Sequence, residues 1–161
     1  MIVISHPIFL ETVQPYVDWK NQKGIPTELY DVTTIGTTEE DIRNFVTDEY
    51  NSPEGLTFVQ LVGDFPLVPT YLTDIIFFEI HGVSDATYEL VEGADTYPDL
   101  FVGRFSAETI TTLETQIDRT IWYEKEIAGG DWLHKGCGLA TVWGHLLQLG
   151  YSLSGHQVKA Y

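Results

Sequence analysis

The chain reads as an α/β protein whose mostly parallel β-sheet is flanked by helices, and three observations predict this. Short apolar runs at 2–5 (IVIS), 58–63 (FVQLVG) and 100–105 (LFVGRF) have the length and content of buried strands. Segments with apolar residues at helical spacing alternate with them, and that alternation is the pattern of βαβ units. Glycines and hydroxyl or acidic residues mark the joins, where helix caps require them.

The elements follow in order. After IVIS, His6-Pro7 breaks the strand, and Phe9, Leu10, Val13, Tyr16, Val17 and Trp19 line one face of a helix over 9–23 that Gly24 closes. TELYDV at 27–32 alternates as a strand does. Thr37-Thr38-Glu39-Glu40-Asp41 supplies a helix start, with Ile42, Phe45 and Val46 on the buried face and Tyr50 a turn further on. FVQLVG ends at Asp64, a loop rich in proline and aromatics follows, and DIIFFEI at 74–80 reads as a further short strand. Residues 84–98 read as a loop or hairpin region. LFVGRF is a strand again, Ser106 is the expected N-cap, and a helix over 107–127 is ended by Gly129-Gly130. A last strand is expected over 136–142.

Composition narrows the function. The 161 residues are 43% hydrophobic and 20% charged, which suits one globular domain with a sizeable core. With 24 acids against 8 lysines and arginines the net charge is −16, which argues against nucleic acid and anionic membrane surfaces as partners. No apolar run approaches the roughly 20 residues that span a bilayer. MIVIS has neither a basic n-region nor a long apolar h-region, so no signal peptide is read. The single cysteine, Cys137, excludes an internal disulfide and a CxxC zinc site.

Two places concentrate chemistry. Asp85, Glu89, Glu92, Asp95 and Asp99 lie on one loop with Gly93 between them, and oxygen ligands on a flexible loop are what calcium takes. Asp85, Asp95 and Asp99 are the candidate ligands, although the spacing is not that of an EF-hand, and a solvated acidic loop is the alternative. Gly103 and Arg104 follow in the next strand, where Arg104 is expected to pair with a nearby carboxylate. Asp64 follows the third strand, on the side where parallel sheets bind ligands, with a turn aspartate as the alternative. A receiver-type phosphoacceptor role for Asp64 would need an acidic pair after the first strand, and SHP offers none.

Four stretches together carry a resemblance: IVISHPIFLETVQPYVDWKNQKGIPTELYDV, IGTTEEDIRNFV, LTFVQLVGDFPLVPT and SDATYELVEGADTYPDLFVGRFSAETITTLETQIDRTIWYEK. Over roughly residues 2–140 the chain resembles the gingipain-type cysteine peptidases. The resemblance implies a caspase-like fold, of which this is the first subdomain. It also implies hydrolysis of peptide bonds after arginine or lysine by a cysteine nucleophile with a histidine partner, at the cell surface or outside it. In that family the histidine sits in a GHG-type motif and the cysteine ends the next strand, both beyond the GRFSAE strand and its helix. Neither pattern occurs here: Cys137 falls at a packing position, and His145 and His156 follow glycines without a second glycine after them. No catalytic residue is therefore assigned, and the chain is expected to be inactive alone. A non-catalytic, calcium-stabilised binding or scaffold module is the alternative.

The resemblance and the composition change together. Residues 1–130 carry 23 of the acids and net −17, whereas residues 131–161 carry one acid and net +1. Residues 1–140 are read as the family's N-terminal α/β subdomain and 141–161 as a divergent tail. A parallel sheet ending here has a free edge, which invites a homodimer.

Overall fold

The computed structural model describes residues 1–75, 80–126, 129–130, 137–138 and 159–160. The chain forms two compact units, Met1–Lys125 and Glu126–Tyr161. In the second, β7 (Cys137–Gly138) and β8 (Lys159–Ala160) pair antiparallel. The rest of the strand expected over 136–142, and nearly all of the divergent tail, lie outside the described residues.

The first unit is the expected α/β architecture. Its sheet has four parallel strands in the order β2-β1-β3-β6: β2 is Glu28–Asp31, β1 Ile2–Ser5, β3 Phe58–Val62 and β6 Phe101–Phe105. β1 is fully buried because it lies between β2 and β3 and is covered on both faces. On one face Ile2, Ile4, Val59 and Leu61 meet Ile42 and Val46 of α3 (Glu39–Tyr50), with Tyr88 and Leu100 beside them. On the other, Val3, Val62 and Phe105 meet Val13, Tyr16 and Val17 of α1 (Leu10–Gln22) and Leu113 and Ile117 of α4 (Ile110–Glu126). Alternation along each strand sends neighbouring residues to opposite faces, so both layers are filled by the same short runs.

Helix ends follow local chemistry. A short 3₁₀ turn (Pro7–Phe9) leads into α1, and a four-residue α2 (Val32–Ile35) follows β2 with Asp31 as its cap. Thr38 and Asp41 form a reciprocal capping box at the start of α3, and Asp41 Oδ2 also takes the Thr37 amide at 3.1 Å. A Cβ added at Gly36 would overlap the Asp41 side chain, so a side chain there would displace this cap.

Two details differ from expectation. The segment read as one strand over 74–80 contributes to a hairpin of β4 (Tyr71–Ile75) and β5 (Ile80–Ser84), paired antiparallel from Tyr71↔Ser84 to Ile75↔Ile80. The helix expected from 107 begins at Ile110, and Thr109, not Ser106, caps it: the Thr109 hydroxyl accepts the Thr112 amide at 3.2 Å. On the side of β6 away from β3, the Glu89 carboxylate accepts the Val102 amide at 3.4 Å.

Candidate functional site

Three of the four parallel strands end side by side in polar turns, and these carboxyl ends form the candidate site. β3 passes into Gly63 and Asp64, whose amides donate to the carbonyls of Phe105 and Ala107 at 3.0 Å each. The His6 amide beyond β1 donates to the Val62 carbonyl at 3.1 Å. Gly63 adopts φ 128°, a conformation that glycine tolerates, and a Cβ there would crowd Leu67 and Val68. The Asp64 carbonyl then accepts the amides of Leu67 and Val68, closing a tight turn.

Arg104 organises this end. Its Nε and Nη2 donate to the two oxygens of Asp85 at 2.8 and 2.7 Å, a bidentate pair. Its Nη1 donates to the carbonyls of Gly63 and Val68 at 2.8 and 3.0 Å. One guanidinium thus ties the strand to the 63–68 turn and to the start of the 85–99 loop. Burial works to raise the Asp85 carboxyl, but the hydrogen bonds from Arg104 and the charge of its guanidinium outweigh it and hold the group below its ordinary value. Tyr88, fully buried in a 3₁₀ turn (Ala86–Glu89), donates to the Pro69 carbonyl at 2.8 Å, a second strut between the same loops.

Asp64 lies at the surface of this end. The Ser106 hydroxyl donates to its Oδ1 at 2.7 Å, and this bond, with the Phe65 amide, lowers the carboxyl pKa. Ser106 is the residue expected to cap the helix, and its link to Asp64 is one that sequence spacing does not carry. His6 acts locally, since its Nδ1 accepts the Ile8 amide at 3.4 Å and caps the 3₁₀ turn.

The three candidate metal ligands have separate partners. Asp85 is bound to Arg104, Asp95 Oδ1 accepts the Tyr97 amide at 3.0 Å, and Asp99 Oδ2 accepts the amides of Val91 and Glu92 at 3.0 and 2.9 Å. Among the described residues no three His, Cys, Asp or Glu side chains gather to hold a metal ion. Cys137 is described only as part of β7; His134, His145 and His156 lie outside the described residues. No helix among the described residues is long and apolar enough to cross a membrane.

The sequence and the fold have known relatives. Over 149 residues the chain is 41% identical to gingipain R2 of Porphyromonas gingivalis, a match covering 89% of this chain and 19% of that protein. It is 33% identical over 137 residues to Lys-gingipain of the same organism, covering 78% of this chain and 7% of that one. The chain therefore spans about a fifth or less of the length of these relatives. Among solved structures, the Arg specific cysteine proteinase gingipain R superposes with a TM-score of 0.72 at 41% identity, over 79% of this chain and 29% of that one. The complex of P. gingivalis RgpB pro- and mature domains gives 0.71 at 42% identity, again over 79% and 29%. Residues 1–159 match the sequence model of peptidase family C25, and the chain belongs to that family.

Proposed function

We propose that this chain supplies the N-terminal part of a gingipain-like cysteine peptidase domain directed at arginyl or lysyl bonds, acting at the cell surface or outside it. The observation that carries this is the 41% identity held over a superposable α/β unit that amounts to 29% of the solved peptidase chain. In this reading the 63–68 turn, the 85–99 loop and Ser106 form a rigid wall at the carboxyl ends of the strands. The thiolate that attacks the carbonyl, and the imidazole that moves its protons, belong to a later part of the domain. The chain alone is then without hydrolytic activity. Incubation with arginyl and lysyl peptide substrates tests this, and sustained, thiol-dependent turnover by the 161-residue chain would overturn it.

Calcium enters this reading as a stabilising ion on the 91–99 loop. The loop turns at Gly93 (φ 73°), Asp99 Oδ2 accepts the amides of Val91 and Glu92, and Asp95 Oδ1 accepts that of Tyr97, so each carboxylate keeps an oxygen to offer. Asp85 stays with Arg104, so the ion would draw on Asp95, Asp99 and backbone carbonyls. Added calcium is expected to raise the melting temperature and chelator to reverse it. An unchanged melting temperature would remove the ion from the account.

A further inference from the structure

Lysine and arginine are scarce in this acidic chain, and those with described side chains lie almost wholly inside regular elements. Lys20 is in α1, Arg43 in α3, Arg104 in β6, and Arg119 and Lys125 in α4. A peptidase that cuts after a basic residue must draw the chain into extended form and take the basic head into a pocket. Bonds inside helices and strands are therefore reached only when the element opens. Lys23 is the exception, because it follows the end of α1 and residues 24–27 after it belong to no helix or strand.

That bond lies at the surface, with the Lys23 side chain 36% exposed, but two sets of contacts keep it out of the extended form a peptidase needs. Lys23 Nζ lies 2.9 Å from Glu124 Oε2, and the Lys20 ammonium reaches Oε1 at 2.6 Å. The Trp19 indole also donates to Glu124, at 2.8 Å, and the Lys23 ammonium lies 5.8 Å from the centre of the Trp19 ring. Burial works to raise the Glu124 carboxyl, but these three donors bring it down to about 2, so it is charged throughout the neutral range. The backbone closes the second lock. Ile25 and Gly24 donate to the carbonyls of Lys20 and Asn21 at 3.0 Å each, a Schellman turn with Gly24 at φ 83°. Asn21 bridges both backbone groups of Thr27 at 2.9 and 3.0 Å.

We propose that Lys23–Gly24 is a masked cleavage site for peptidases that cut after basic residues, and that Glu124 is the group that masks it. This rests on the functional reading above, since a domain built for Arg- or Lys-directed cleavage must survive that cleavage itself. To present Lys23, the ammonium must leave Glu124 and the end of α1 must fray. Without Glu124 the second event no longer has to wait for the first.

Trypsin is the probe, because it reads the masking independently of any activity of this chain. The full-length protein and its Glu124→Gln variant are digested under native conditions and the fragments identified by mass. E124Q should release a fragment beginning at Gly24 about tenfold faster than the parent, as a local opening would, with the bonds after Arg43, Arg104 and Arg119 still intact. Glu124→Asp keeps the charge but not the reach and should behave the same, which keeps the test open if E124Q does not fold. Adding Lys23→Gln should abolish the Gly24 fragment. Equal release of that fragment from parent and variants, or cutting after Arg43 and Arg104 at the same pace, would overturn the proposal. Peptide hydrolysis by the chain itself would overturn the proposed function, and the trypsin comparison of parent and variant reads the masking separately from it.

Discussion

The two ends of the parallel sheet are built by opposite means. At the carboxyl end, turns are fixed by directed bonds: Arg104 makes four, and Asp64 and Ser106 add another. At the amino end, Phe58 and Phe101 stack with ring centres 5.6 Å apart but stay 42% and 67% exposed. A cavity of about 310 Å³ opens beside them, lined by Met1, Tyr16, Lys20, Ile25 and Gln60 among others. Register explains the contrast. Phe58, Gln60 and Val62 face the same side as Phe101, Gly103 and Phe105, and of these six α1 and α4 bury only Val62 and Phe105. One end is therefore held by geometry that tolerates no slack, the other by a contact that remains wet.

The sharpest way to break this contrast is Arg104→Met. It leaves Asp85 without its partner and frees two carbonyls, and a loss of about 3–5 kcal/mol in denaturant unfolding is expected. Arg104→Lys should recover little, because an ammonium cannot supply the planar fork. A loss below about 1 kcal/mol would show that the polar end is no stiffer than an ordinary surface ion pair. Acid offers a second handle. Asp85 is held below its ordinary value of about 3.8, so its contribution is complete above that pH and disappears as pH falls through the lowered one. The difference in stability between parent and R104M should narrow over that acid range, which urea titrations at stepped pH would show. Phe101→Ala should cost only about 0.5–1.5 kcal/mol, the worth of an aromatic pair, with no change across the same pH range. Ser106→Ala is the mildest. Global stability should hardly move, while the Asp64 carboxyl titrates nearer its ordinary value by NMR; an unmoved titration would remove Ser106 from the site.

Much of this fold is legible in the sequence because apolar runs and caps are local signals. IVIS, FVQLV and LFVGRF stand out by their apolar content, and Thr38 with Asp41 announces α3. The hairpin escapes such a reading because His81 and Gly82 interrupt the apolar pattern of β5, so the pattern resolves as one strand over 74–80. Ser106 misleads for a related reason: the hydroxyl suits a cap, but Asp64 from another strand end claims it, and Thr109 takes the cap. Pairing of Arg104 with a carboxylate follows from its position, yet which carboxylate depends on how the 85–99 loop folds back. The same fold-back explains why Asp85, grouped by spacing with Asp95 and Asp99, ends with a different partner.

The central place of β1 carries a consequence for how the chain reaches this state. Ile2 must find both Glu28 and Val59, and Phe58 must then find Phe101, so no strand pair in the main sheet joins neighbours across a tight turn. Closing such loops comes before any reward from burial, and proteins dominated by distant pairings fold slowly for that reason. Folding of this unit should therefore be limited by the docking of β3 beside β1, the step that first gives the sheet two covered faces. Core substitutions at Val59 or Leu61 would then slow refolding more than they speed unfolding.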